Sequence, residues 1–391
     1  MTTTVIEGDC DARFEPVRRA FAENFASRDE IGAAVAVTLH NRPVVDLWSG
    51  FADLERTRPW QRDTIVNVYS TTKAMTAICA LRLVDQGRLD LDAPVALYWP
   101  EFADAGKAEI PVRWLLSHRA GLAAVGRVLP NEALYDWDAM IAALAAQEPW
   151  WRPGEQHGYH AVTYGWLVGE LVRRITGVSL GTFFRDELAE PLGLDFHIGL
   201  ADEQHGRVAD MSSIPLELPA DGNDRSLASV ILADPEGVAA KAFINPASLL
   251  LGPNNAAWRR AEIPGANGHS TARALARIYG ALAAGGSVDG HRVLSPDAIE
   301  SAATEQSTGR DLVLQVNTRF GLGFMLPQPD EADMRFGTGP GAFGHPGAGG
   351  SFAFADPASG LGFAYVMNRM GPHILLDPRA IALLEAAQSC A

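Results

Sequence analysis

Two apolar hairpins near opposite ends of the chain do most to constrain its fold. The clearer one is Ser351-Phe-Ala-Phe-Ala355, the turn Asp356-Pro-Ala-Ser-Gly360 and Leu361-Gly-Phe-Ala-Tyr-Val-Met367. Short apolar runs bounded by turn residues are the pattern of a buried antiparallel pair. The counterpart is Gly32–His40, a turn at Asn41-Arg42, and Pro43–Phe51. Between and around them the apolar spacing is helical over 11–27, 132–148, 161–176 and Ser270–Ala284, with shorter helices over Val112–Ser117 and Ser179–Ala189. Asp377 as N-cap with Pro378 at the first helical position opens a closing helix. Strands at both ends with helices between predict an α/β (α+β) protein with an antiparallel sheet flanked by helices. Residues 1–66 and 267–391 would build that domain from both termini, and 67–266 would form a mostly helical domain. The stretch from about 200 to 266 is dense in Pro, Gly, Asn and Asp and reads as irregular. It is too long for a simple loop, so part of it is expected to cover a binding cleft.

A formal charge of −15 argues against nucleic acid and anionic membrane surfaces as partners. No apolar run reaches the roughly 20 residues that a membrane-spanning helix needs. Met1–Asp9 has neither a basic nor an apolar stretch, so a cytoplasmic location is expected. Cys10, Cys79 and Cys390 are odd in number and lack metal-ligand spacing, and no H-E-x-x-H occurs among the histidines. No metal or other cofactor is expected. Cys79 lies in an apolar helix and reads as a packed thiol. The sequence carries no signal of oligomeric state.

Chemistry concentrates first at Tyr69-Ser70-Thr71-Thr72-Lys73, where a β-like lead-in meets a helix-forming run. Ser70 falls at a helix N-terminus, where backbone N–H groups point outward and the dipole favours negative charge. Lys73, three residues on, shares its face. The chain has only three lysines, Lys73, Lys107 and Lys241. Arginine cannot lose its proton in a protein, whereas a buried lysine can serve as a base. A hydroxyl beside such an amine suits an activated serine nucleophile; a plain N-cap beside a solvated lysine is the competing reading.

Two further stretches look built for a site. Trp150–Ala161 sets Tyr159 between the Pro153-Gly154 turn and a helix, where it could equally cap the core. Phe343-Gly-His-Pro-Gly-Ala-Gly-Gly-Ser351 leads into the C-terminal hairpin, and its glycines allow either close approach to a ligand or a bend.

Together the three stretches resemble the serine β-lactamase and penicillin-binding-protein superfamily, most closely the class C β-lactamase-like family VIII carboxylesterases. Ser70-Thr-Thr-Lys73 matches the S-x-x-K element. Tyr159-His160-Ala161 matches Y-x-N at its Tyr only, and His345-Pro346-Gly347 stands in place of K-T-G. Supporting phrases are Gly87–Pro94, Leu115-Leu-Ser-His-Arg-Ala-Gly-Leu122 and Gly268–Ala276. The resemblance implies that Ser70 attacks an ester carbonyl and that water hydrolyses the acyl-enzyme. Lys73 and Tyr159 would share the proton traffic, either one serving as base. The oxyanion hole would be the backbone N–H of Ser70 and of Ala348. His345, Gly347 and Trp151 would contact substrate. Ala161 lacks the amide of the family Asn and His345 is a weaker cation than Lys, which points to small-molecule esters of short acyl or aryl type rather than β-lactams or peptides.

Alternatives within the same chemistry are a β-lactamase, an amide hydrolase or an acyltransferase; outside it, a silent binding protein on this fold. Gly177-Val178-Ser179-Leu180-Gly181 matches G-x-S-x-G, but the run before it is helical, so Gly177 reads as a helix stop and Ser179 as an N-cap. Gly339, Gly341 and Gly344 spell G-x-G-x-x-G ahead of a strand, which implies no dinucleotide.

Overall fold

The computed structural model of the chain describes residues 5–213, 226–247 and 252–391. Its centre is a six-stranded antiparallel sheet. The strands are β1 (Glu7–Cys10), β2 (Gly32–Leu39), β3 (Arg42–Gly50), β4 (Phe343–Pro346), β5 (Phe352–Asp356) and β6 (Leu361–Met367). They lie in the order β1-β3-β2-β6-β5-β4. The two ends of the chain therefore meet in mid-sheet, with Phe363 opposite Val37 and Tyr365 opposite Val35.

Every residue of β6 is buried, because both faces of the sheet are covered. Gly362 lies flush against α5 (Ala272–Ala283), and a Cβ there would come within 2.3 Å of the Gly280 nitrogen. Tyr365, an odd number of residues on, projects from the opposite face. There its hydroxyl donates to Glu30, next to α6 (Pro378–Gln388), which packs on α1 (Glu15–Ser27).

The helical part centres on α2 (Thr72–Asp85), where Ala74, Met75, Ala77, Ile78, Cys79, Ala80 and Leu81 are all fully buried. A helix apolar around its circumference belongs inside, and α3 (Trp137–Ala146) and α4 (Thr163–Thr176) pack in the same region. All three cysteines are free.

Three elements differ from the sequence reading. The first hairpin turns at His40-Asn41, one residue early, because both adopt positive φ (49° and 64°) as a two-residue hairpin requires. The helix expected over 132–148 divides into a 3₁₀ turn, Asn131–Tyr135, and α3, because the Asp136 side chain caps the second piece by accepting from the Ala139 N–H. The described part of 200–266 is not plain loop. It contains short helices at Leu227–Ala233, Val238–Ile244 and Ala256–Arg260, and the remainder of that expectation, 214–225 and 248–251, lies outside the described residues. Among the described residues no helix is long and apolar enough to cross a membrane.

Candidate active site

Ser70 is held at the junction of a short strand and α2. Val66 and Asn67 pair with His269 and Ser270, and the Val68 N–H donates to the Gly268 carbonyl at 2.8 Å. Tyr69 then takes a positive φ of 44°, a strained conformation for a bulky residue, which turns the chain into the helix. Ser70 is half-buried, one residue ahead of the helix N-cap Thr71. Lys73, in the first turn of α2, is fully buried. Its ammonium donates to Ser70 Oγ at 3.1 Å, to the Ala161 carbonyl at 2.6 Å and to the Gly265 carbonyl at 2.7 Å. Its three donor directions are thus filled by neutral acceptors. Burial, with no carboxylate paired to it among the described residues, holds the Lys73 pKa well below the lysine range.

Tyr159 comes from the loop before α4. Its ring and Ser70 line the same cavity, and Lys73 Nζ lies 4.7 Å from its ring centre. Burial raises its phenol pKa, against the opposing effect of the Ser70 side chain. Two groups that sequence reasoning had not singled out hold this loop. Buried Asp311 accepts from the Tyr159 N–H at 3.0 Å and from the Val313 and Leu314 N–H groups at 2.8 Å each. His118 Nδ1 accepts from the His160 N–H at 3.1 Å, and its ring lies 5.0 Å from that of Tyr159. The Leu115–Leu122 phrase was the signal for His118, whereas nothing around Asp311 distinguished it from a surface turn.

The third wall is the segment after β4. Thr71 Oγ1 donates to the His345 carbonyl at 3.2 Å, Ser351 Oγ to the Val68 carbonyl at 2.8 Å, and the Gly347 N–H to the Ser351 carbonyl at 2.7 Å. The turn that carries Ser70 and the glycine loop are therefore stitched together, although they come from opposite ends of the chain. Between them opens a cavity of about 90 Å³ walled by Ser70, Tyr159, Phe243, Trp258, Leu314 and Ala348, among others. Most of its exposed wall is apolar, and no Lys or Arg contributes to it among the described residues. Among those residues neither the Ser70 nor the Ala348 N–H donates to another protein group.

Other candidate residues stand apart from that cavity. His345 is buried behind it, with Nδ1 against the Pro346 carbonyl at 2.7 Å and Nε2 without a partner. Burial, helped by the nearby Lys73 charge, pushes its pKa down to about 3, so it is neutral near pH 7. Gly347 lies inside the stitched turn, while Pro346, Ala348 and Gly349 reach the wall. Trp151 packs its ring edge-on against His160 and donates to the Gln156 carbonyl at 3.1 Å, off the wall. Ser179 follows a helix that ends at left-handed Gly177 (φ 79°) and caps the next one by accepting from the Thr182 N–H. Its hydroxyl donates to Glu262 at 2.5 Å. That is no nucleophile elbow. No cluster of His, Cys, Asp or Glu among the described residues could hold a metal.

The beta-lactamase family profile matches residues 17–388. The chain belongs to the beta-lactamase family. It is 39% identical over 376 residues to the esterase/beta-lactamase LipL of Mycobacterium tuberculosis, covering 95% of this chain and 85% of that protein. It also resembles the crystal structure of a family VIII carboxylesterase (TM-score 0.90, 41% identity, 99% of this chain and 100% of that one). A similar likeness holds for a penicillin-binding protein homolog from Caulobacter crescentus (TM-score 0.89, 45% identity, 99% and 100%). The sheet and helices described above are thus the β-lactamase and penicillin-binding-protein fold.

Proposed function

We propose that this serine hydrolase is a carboxylesterase that cleaves short-chain acyl or aryl esters through an acyl-enzyme on Ser70. The carrying observation is a fully buried Lys73, with only neutral partners, bonded to Ser70 at the floor of an apolar cavity. Deprotonated Lys73 takes the Ser70 proton as Oγ attacks the ester carbonyl. The backbone N–H groups of Ser70 and Ala348 receive the developing oxyanion. Tyr159, kept protonated by burial, gives its proton to the departing alkoxide and regains one from the Lys73 ammonium; water then attacks the acyl-enzyme, its proton passing to Lys73 and from there to Ser70 Oγ as the acid leaves.

Among the described residues the wall carries no Lys or Arg to pair with a carboxylate, and Ala161 presents its carbonyl to Lys73 rather than an amide to substrate. Both features favour neutral esters. Lactam turnover is the second reading, supported by the relative whose name joins esterase and beta-lactamase.

The test is hydrolysis of p-nitrophenyl acetate and butyrate beside a chromogenic cephalosporin, by wild type, Ser70→Ala, Lys73→Ala and Ser179→Ala. Ester turnover should vanish in the first two variants and survive in the third, with little cephalosporin turnover. Cephalosporin turnover at the ester rate would make the lactam reading the better one. Ester turnover surviving Ser70→Ala would end the mechanism.

A further inference from the structure

The loop that carries Ala348 is built from glycines on both sides, and glycine by itself leaves a backbone poorly restrained. Gly349 and Gly350 adopt φ of 85° and 130°, in the left-handed half of the map. Something outside the loop must therefore fix its conformation. Within the turn, the Gly350 N–H donates to the Gly347 carbonyl at 3.1 Å. From outside, the Gly349 carbonyl accepts two bonds at 2.9 Å, from the Gly371 N–H and from Arg379 Nη2. Arg379 sits in the first turn of α6, behind the sheet, and is 4% exposed.

The rest of its guanidinium is held rigidly. Nε donates to Asp377 at 2.8 Å and Nη2 to the other oxygen of that carboxylate at 3.1 Å, while Nη1 donates to Glu30 at 3.0 Å. Asp377 is itself fixed as the N-cap of α6, accepting from the Arg379 N–H, and Glu30 is fixed by the Tyr365 hydroxyl. A planar fork whose orientation is set by two carboxylates can hold a carbonyl in one place. Because each peptide is planar, fixing the Gly349 oxygen fixes the Gly350 N–H in the same plane, and the bond of that N–H to the Gly347 carbonyl holds the plane that carries the Ala348 N–H. There is no room to shift: a Cβ on Gly349 would meet Met370 Sδ at 2.4 Å, and one on Gly350 would meet Arg379 Nη2 at 3.2 Å.

We propose that Arg379 is a positioning residue for catalysis: from behind the sheet it clamps the Gly349 carbonyl and so aims the Ala348 N–H into the oxyanion hole. The proposal rests on the oxyanion assignment above. Arg379 touches no substrate; its effect is on the transition state, where the hole is used, and little on ground-state binding.

The experiment compares Arg379→Lys and Arg379→Met with wild type in kcat and KM for p-nitrophenyl butyrate, in affinity for phenylboronic acid, and in thermal melting. The boronate takes up Ser70 Oγ to form a tetrahedral adduct with an oxygen in the hole, so it reports that geometry directly. Misaligning an active-site group by about 1 Å costs on the order of 100-fold. The expected result is a 10- to 100-fold lower kcat, KM within about threefold and a parallel loss of boronate affinity, with guanidinium ion partly restoring Arg379→Met. Arg379→Lys keeps the charge without the fork, and it carries the test if the Met variant does not fold. A folded variant with wild-type kcat and boronate affinity overturns the proposal, as does a loss of kcat with boronate affinity unchanged.

Ala348→Pro separates this from failure of the underlying reading. It removes the N–H at a position whose preceding residue, Gly347, already has the extended φ of −114° and ψ of 149° that a proline tolerates. If Ala348→Pro keeps full ester turnover, the oxyanion assignment itself falls. If it is inactive while the Arg379 variants behave as wild type, only the clamp falls.

Discussion

Two buried cations on the two sides of this molecule have opposite surroundings. Lys73 is fully buried among two carbonyls and a hydroxyl, and burial holds its pKa well below the lysine range. Arg379 is almost as buried but lies between Glu30 and Asp377, and it keeps its charge. Burial alone therefore does not decide what a basic group does; the charge of its neighbours does. Lys107 sharpens the contrast. It too is buried, its ammonium donates to the Asp104, Ala145 and Gln147 carbonyls at 2.7–2.8 Å, and desolvation lowers its pKa. Among the described residues no serine hydroxyl accepts from it, so it ties loops together, whereas Lys73 also bonds Ser70.

The largest expected effect on this contrast comes from Lys73→Arg, which puts a permanently charged group where a base is needed. Ester kcat should fall by at least about 1,000-fold with the fold intact, combining lost general-base catalysis with a misfitted guanidinium. Retention of more than a tenth of the activity would transfer the base role to Tyr159. In the wild type, kcat/KM should fall toward acid as Lys73 protonates, along a limb whose apparent pKa lies well below the usual lysine value of about 10.4. A pH–rate profile places that limb, and one near 10 would contradict the burial argument.

Stability should show the opposite order. Arg379→Met strands two buried carboxylates and should cost about 3–5 kcal/mol in urea unfolding. Lys73→Met strands none. Because the folded Lys73 pKa is depressed, the unfolded chain binds the extra proton between the two values, so wild-type stability rises with pH there. Lys73→Met should abolish that rise; it leaves the buried Ala161 and Gly265 carbonyls without their lysine donor, so a loss of about 1–3 kcal/mol is expected, below that of Arg379→Met. A destabilisation as large as that of Arg379→Met would erase the distinction between the two cations.

Lys107→Met should resemble Lys73→Met in stability. It leaves buried carbonyls without donors, so a loss of about 1–3 kcal/mol is expected, with kcat unchanged. The smallest effect belongs to Ser179→Ala, which removes a helix cap worth about 1 kcal/mol and should leave ester turnover untouched.

Much of this was legible before any coordinates. The two hairpins announced strands at both ends of the chain because a two-residue period and turn chemistry are local properties, and Ser70, Lys73 and Tyr159 stood in recognisable phrases. Gly177 and Ser179 could be read as helix punctuation for the same reason: capping depends on a few adjacent residues. The one-residue error at the His40-Asn41 turn also has a local cause, since either dipeptide suits a turn and only the register against β6 selects between them.

What the sequence could not supply is whatever depends on residues far apart in the chain. Neighbouring residues do not show that His345 is neutral, because its burial and the adjacent Lys73 charge, not its type, set its state. Nor could they place Trp151 and Gly347 off the cavity wall, or bring Asp311 beneath Tyr159. The identity of the side chains at Ser70 and Lys73 was settled by sequence alone. The neutral surroundings of Lys73 among the described residues and the clamp of Arg379 on Gly349 arise only when α2, the backbone at Gly265, the glycine loop and α6 are packed together, because desolvation and charge pairing act through space.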